Sequence, residues 1–163
     1  MKRLLVLLAI VVSGCGGGGG GGSGSSSWTG PVTSKGFPAV AGNYRIDYSP
    51  VSGRCSDGSI LTLDGSSQIV KVNQSESSIS IISLTRIVSD ISDTPATGNI
   101  DKDGEMELTR HRVVNANGTP LEVDYHYAAQ AFENGVVGDV TAHITVPKGE
   151  CDVSGTFSGN KLS

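Results

Sequence analysis

The chain has 163 residues and carries sixteen acidic against twelve basic side chains, a formal charge of −4 at pH 7. Without a basic surplus to neutralise phosphates, it argues against nucleic acid as a partner. Aromatic residues make up 5% of the chain and tryptophan occurs once, so a core has to rest on Ile, Val and Leu, a composition that favours β structure.

Met1–Ser13 reads as a secretory signal, with Lys2 and Arg3 as its charged start and Leu4–Val12 as an unbroken apolar stretch of nine residues. That stretch is too short to cross a bilayer as a helix, which takes about 20 apolar residues. The four residues Val12-Ser13-Gly14-Cys15 resemble the lipobox of bacterial lipoproteins. The resemblance implies cleavage after Gly14 and lipidation of Cys15 by palmitate-type acyl chains. More than one chain makes a stable anchor, because each buried CH2 contributes roughly 0.8 kcal/mol and a single chain binds only marginally. An ordinary signal peptide with an incidental cysteine is the alternative reading. Lipoproteins held at the inner membrane carry Asp directly after the lipidated cysteine; Gly16 stands there, so the resemblance implies the outer membrane, facing the periplasm or the cell surface.

Gly16–Ser27 contains only Gly and Ser, a composition with nothing to bury, and it reads as a flexible tether with a mean span of roughly 20 Å. The expected organisation is a signal peptide over 1–14, a lipidated cysteine and tether over 15–27, and one domain over 28–163. Loss of Met1–Gly14 would remove Lys2 and Arg3, leaving ten basic against sixteen acidic residues.

Beyond Trp28 no segment sustains a helical period. Short alternating runs are punctuated by Asp57-Gly58, Asp64-Gly65, Asp103-Gly104, Asn117-Gly118 and Asn134-Gly135, which are strong hairpin signals. The pattern predicts strands over Asn43–Tyr48, Ile60–Leu63, Gln68–Asn73, Ser78–Arg86, Ala96–Asp101, Glu105–Asn115, Thr119–Glu133, Val136–Val146 and Cys151–Phe157. Consecutive hairpins of this kind make an antiparallel meander. Long strands left open would expose aggregation-prone edges, so the all-β meander is expected to close into a small barrel, with a bent β-sandwich as the alternative. The stretch Ala41-Gly42-Asn43-Tyr44-Arg45-Ile46 resembles the opening of lipocalin-type barrels, with Tyr44 where that family has Trp. The resemblance implies a cup for a small apolar molecule.

Apart from Cys15 the chain has Cys55 and Cys151, and in an exported protein a disulfide is the default, two free thiols being the alternative. If the first and last strands pair, the bond would staple the barrel shut.

Alternation along each strand assigns the core. Leu121, Val123, Tyr125, Tyr127, Ala129 and Ala131 share one face, as do Val140, Ala142, Ile144 and Val146, then Cys151, Val153 and Phe157. Met106 and Leu108 join them, and the same parity sends Arg110 and Arg112 inward. Arginines are costly in a core, so a bulge that flips the register, an open rim, or escape to solvent are the readings open. At a rim they would meet an anionic group of a ligand, with Tyr125 and Tyr127 as neighbours on the inward face.

If Asn134-Gly135 is a two-residue loop, His126 faces His143, and a longer or shifted turn at Asn117-Gly118 brings Glu107 near His126. Two imidazoles and a carboxylate at cross-strand distance are candidate ligands for zinc or copper; a solvated polar face is the alternative. Asn99-Ile100-Asp101-Lys102-Asp103-Gly104 has the cadence of a calcium loop, but the twelfth position is Arg110 where a bidentate Glu is needed, and a plain hairpin turn accounts for it. No Gly-x-Ser-x-Gly elbow and no His-Glu-x-x-His pair occurs, so no enzyme and no cofactor are expected. The expectation is a lipid-anchored envelope protein whose domain binds or has a structural role. Its partners would be the membrane and a small apolar ligand or another envelope protein, without nucleic acid.

Overall fold

Ten strands follow one another in the described residues: β1 (Gly42–Tyr48), β2 (Val51–Cys55), β3 (Ile60–Leu63), β4 (Ser66–Ser75), β5 (Ser78–Ser83), β6 (Ala96–Ile100), β7 (Glu105–Ala116), β8 (Thr119–Phe132), β9 (Gly135–Val146) and β10 (Gly149–Lys161). This computed structural model describes residues 28–85, 94–116, 118–147 and 149–163. The expected signal, Cys15 and the expected tether lie outside the described residues, as does Arg86; the strand expected over Ser78–Arg86 ends at Ser83.

All pairings are antiparallel, and the order β1-β4-β5-β6-β7-β8-β9-β10 closes because β10 also pairs with β1. The result is the expected closed barrel, not a sandwich. The hairpin β2–β3 extends it at one end, with β2 on the first half of β10 and β1 on the second half. Only Ser49 and Pro50 separate β1 from β2, and Asp64 and Gly65 separate β3 from β4, so each pair is one long strand broken at a bend. Pro50 has no N–H to continue the ladder. At the break, Ser49 supplies the missing pairing: its N–H and its hydroxyl both donate to the Thr156 carbonyl, and the Thr156 N–H donates back to the Ser49 hydroxyl.

β2 is absent from the sequence-based prediction. Val51-Ser52-Gly53-Arg54-Cys55 offers one large apolar side chain beside a proline and a glycine, which leaves little alternation to detect. Gly53 is there for space, since a Cβ would lie 1.7 Å from the Asp152 carbonyl oxygen on β10.

The inward side chains form two apolar compartments. One contains Tyr44, Ile46, Val70, Val72, Ile79, Ile100, Met106 and Leu108 among others; the second contains Val123, Ala142, Ile144, Cys151 and Val153. The first compartment is sealed from below by residues 28–40. Pro38 is fully buried, Trp28 packs on the compartment, and Val32 and Pro38 bridge to each other. Gln74 and Glu76, at the β4–β5 turn, hold this segment. The Gln74 amide donates to the Pro38 carbonyl and accepts from the Val40 N–H, while the Glu76 carboxylate accepts from the Thr33 and Ser34 hydroxyls and the Lys35 N–H. Those bonds, the hydroxyl of Ser34 first, lower the Glu76 pKa. Glu76 is the one non-glycine at positive φ among the described residues.

Candidate functional site

Arg110 and Arg112 stay inside, as strand alternation requires, and they do not reach solvent: their exposures are 9% and 5%. No bulge flips β7, whose register with β8 runs unbroken from Glu105↔Gln130 to Ala116↔Thr119. The arginines are tolerated because the middle of the barrel is a polar belt. Tyr48, Gln68, Tyr125 and Tyr127 line the same internal space of about 140 Å³ as the two guanidinium groups. Tyr125 and Tyr127 stack with centroids 6.0 Å apart, and Phe157 meets Tyr127 edge-on at 6.0 Å and Tyr48 at 5.8 Å. Burial pushes the Tyr48 and Tyr127 phenols up, and the Arg110 and Arg112 charges oppose that rise.

Below the belt the interior is nearly filled, leaving about 60 Å³. Above it lies a cup of about 630 Å³, within the ~300–1,000 Å³ range of small-molecule sites. Its walls are Leu61 and Leu63 from β3, Val114 from β7, Leu121 and Val123 from β8, and Ile144 and Val146 from β9; Gln68, Arg112 and Tyr125 form the floor. The β2–β3 turn, with Ser56 and Asp57, and the start of β10, with Gly149 and Glu150, form the mouth. An eight-stranded barrel is just wide enough for its own side chains to fill. The cup exists because the described residues provide no plug there like residues 28–40 at the other end.

Cys55 and Cys151 form the expected disulfide. They face each other directly in the β2–β10 ladder, so the bond fixes the β2–β3 hairpin to the barrel wall beside the cup.

The expected metal constellation is not assembled. Glu133 and Asn134 form the β8–β9 loop, because Phe132 pairs with Gly135. The Asn-Gly signal assumes a glycine at positive φ inside the loop, whereas Gly135 belongs to β9, where a Cβ would stand 2.5 Å from the Gly159 carbonyl oxygen. The one-residue change in the loop shifts facing pairs by two: Asp124 faces His143 and Thr141 faces His126. On the other side Thr109 faces His126 and Glu107 faces Ala128. No group of three His, Cys, Asp or Glu able to hold a metal ion occurs among the described residues.

The actual register makes a row of alternating basic and acidic residue types on the outer wall: His111 (β7), Asp124 (β8), His143 (β9), Asp152 (β10) and Arg54 (β2) are successive cross-strand partners. His111 Nδ1 lies 2.7 Å from Asp124 Oδ1 and His143 Nδ1 lies 2.8 Å from Asp152 Oδ1. The Asp152 hydrogen bond is the main cause of a raised His143 pKa, helped by the charges of Asp152, Glu150 and Asp124. At the Asn99–Gly104 segment, Asp101 Oδ1 accepts from the N–H groups of Asp103 and Glu105 at 2.9 Å each, and Gly104 has φ 89°. That is the geometry of the hairpin turn.

No protein-family model and no curated protein matches this chain.

Proposed function

We propose that this protein is a lipid-anchored component of the bacterial cell envelope, held by acyl chains on Cys15, whose barrel carries a small, largely apolar molecule in the cup. The cup is the observation that carries the binding reading: about 630 Å³ of mostly apolar-walled space is more than a filled structural barrel of this strand number leaves. Arg112 and Tyr125 on the floor give the inner end of the ligand polar contacts, which suits an amphiphile with an anionic terminus; Arg110, deeper in the belt, reinforces the positive potential there, and Tyr127 beside it adds a neutral hydroxyl. The function is carriage or sensing, with no bond made or broken and no cofactor.

Fluorescence titration of the full chain with an environment-sensitive apolar dye tests this. Saturable binding is expected, weakened at least about tenfold by Val114→Trp, which fills the cup from its wall and leaves the sealed compartment untouched. Absence of saturable binding to the folded wild-type chain contradicts the reading.

A further inference from the structure

We propose that the barrel stands on its membrane closed end down, so that the cup opens away from the anchoring bilayer and exchanges its ligand with the aqueous phase. This rests on the lipid-anchored reading above.

The argument is one of polarity along the barrel axis. The domain is joined to the anchor through Trp28, and Trp28 packs on the sealed compartment. The segment it starts underlies that end throughout: Thr33, Ser34 and Lys35 are bound to Glu76 at the β4–β5 turn, and Lys102 at the β6–β7 turn lies 6.0 Å from the Phe37 ring centroid. The cup is bounded instead by the β2–β3 turn and the start of β10. β8 runs from one end to the other in 14 residues, a barrel height of about 35 Å at ordinary rise and tilt.

On the tether reading of their composition, the twelve Gly and Ser residues 16–27 would span roughly 20 Å on average and about 40 Å when fully drawn out. To present the cup to the bilayer, the domain would have to invert, and its attachment point would then stand a full barrel height above the headgroups. The tether would be pulled close to its limit, losing nearly all of its freedom. A ligand delivered from solution meets the opening directly, whereas one taken from the anchoring leaflet would have to pass the closed end.

The test uses the full lipidated chain on vesicles of four parts zwitterionic to one part anionic lipid, with an acceptor dye on the headgroups. A donor is placed by a bio-orthogonal side chain either at Ile60, 70% exposed at the cup end, or at Asp103, exposed on the β6–β7 turn. Thr119 and Glu133, exposed at opposite ends of β8, make a second pair. Vesicle flotation precedes the distance measurement. Energy transfer at least about twofold stronger from Asp103 and Glu133 than from Ile60 and Thr119 is expected for a difference of one barrel height. Equal transfer overturns the orientation while leaving the anchor intact; stronger transfer from Ile60 and Thr119 also overturns it and would make Ile60 at the rim the membrane contact. Failure to float overturns the anchor, and the orientation with it.

Discussion

At the scale of single residues, His143 is the clearest case of a group placed by register. It stands between Asp124 and Asp152 across the strands, and the hydrogen bond to Asp152 raises its pKa. A folded-state pKa above the unfolded one means that the protonated ring favours the fold. The contribution is complete below the unfolded value of about 6.5 and is lost as pH rises through the folded one. His143→Asn should therefore cost more stability in urea at pH 5 than at pH 8.5; an equal loss at both would show that the pair is idle. Backbone crowding gives a second case. At Gly98 a Cβ would lie 1.9 Å from the Glu107 carbonyl oxygen, so Gly98→Ala should lower stability by about 2–3 kcal/mol in thermal or denaturant unfolding, and an unchanged midpoint would contradict the close approach. Inward and outward alternation was readable for Met106, Leu108, Val123, Ala142, Ile144 and Val153, all of them buried. It was equally right for Arg110 and Arg112, where desolvation had suggested an escape. What sequence could not supply was the belt of Tyr48, Gln68, Tyr125 and Tyr127 beside them, because those residues come from three separate strands.

At the scale of elements, the disulfide and the hairpin it holds are coupled. Cys55 and Cys151 are 96 residues apart, and a loop of that length gives about 4–5 kcal/mol in a chain-entropy treatment, less where the denatured chain is already compact. Reduction should lower Tm, and hydrogen exchange should rise first in β2 and β3, because β2 has only a short ladder with β10 and β3 only a short ladder with β2. Uniform protection loss around the barrel would contradict that. At the opposite end, Glu76→Ala removes the acceptor for Thr33, Ser34 and Lys35, and trypsin cleavage after Lys35 should accelerate while the barrel strands remain protected; an unchanged rate would mean that packing of Trp28 and Pro38 alone holds the segment. Element existence was legible wherever alternating runs met turn dipeptides, down to Ile60–Leu63, which matches residue for residue. The β8–β9 loop was misplaced by one residue because an Asn-Gly pair signals a turn without saying whether its glycine serves the loop or the neighbouring strand. That single step moved His126 away from His143.

At the scale of the whole molecule, closure and polarity do the explaining. A barrel of eight strands has no free sheet edge along most of its wall, which keeps its long apolar strands from pairing with other chains. Because β10 is long enough to pair with both β1 and β2, the wall continues past the belt and encloses the cup. One end is sealed by residues 28–40, the first described segment of the chain. The other end is held by the disulfide, and among the described residues nothing seals it. Meander order predicted the closure, whereas the cup depends on how far side chains from β3, β7, β8 and β9 fall short of meeting, a distance that no single strand records. The central claim, that the open end holds a ligand, is addressed most directly by native mass spectrometry of the intact protein extracted from its own membranes. The expected result is a mass increment from one small molecule, lost in Val114→Trp while the fold and the Cys55–Cys151 bond persist. A wild-type protein that emerges bare, and stays bare when offered apolar amphiphiles, would contradict it.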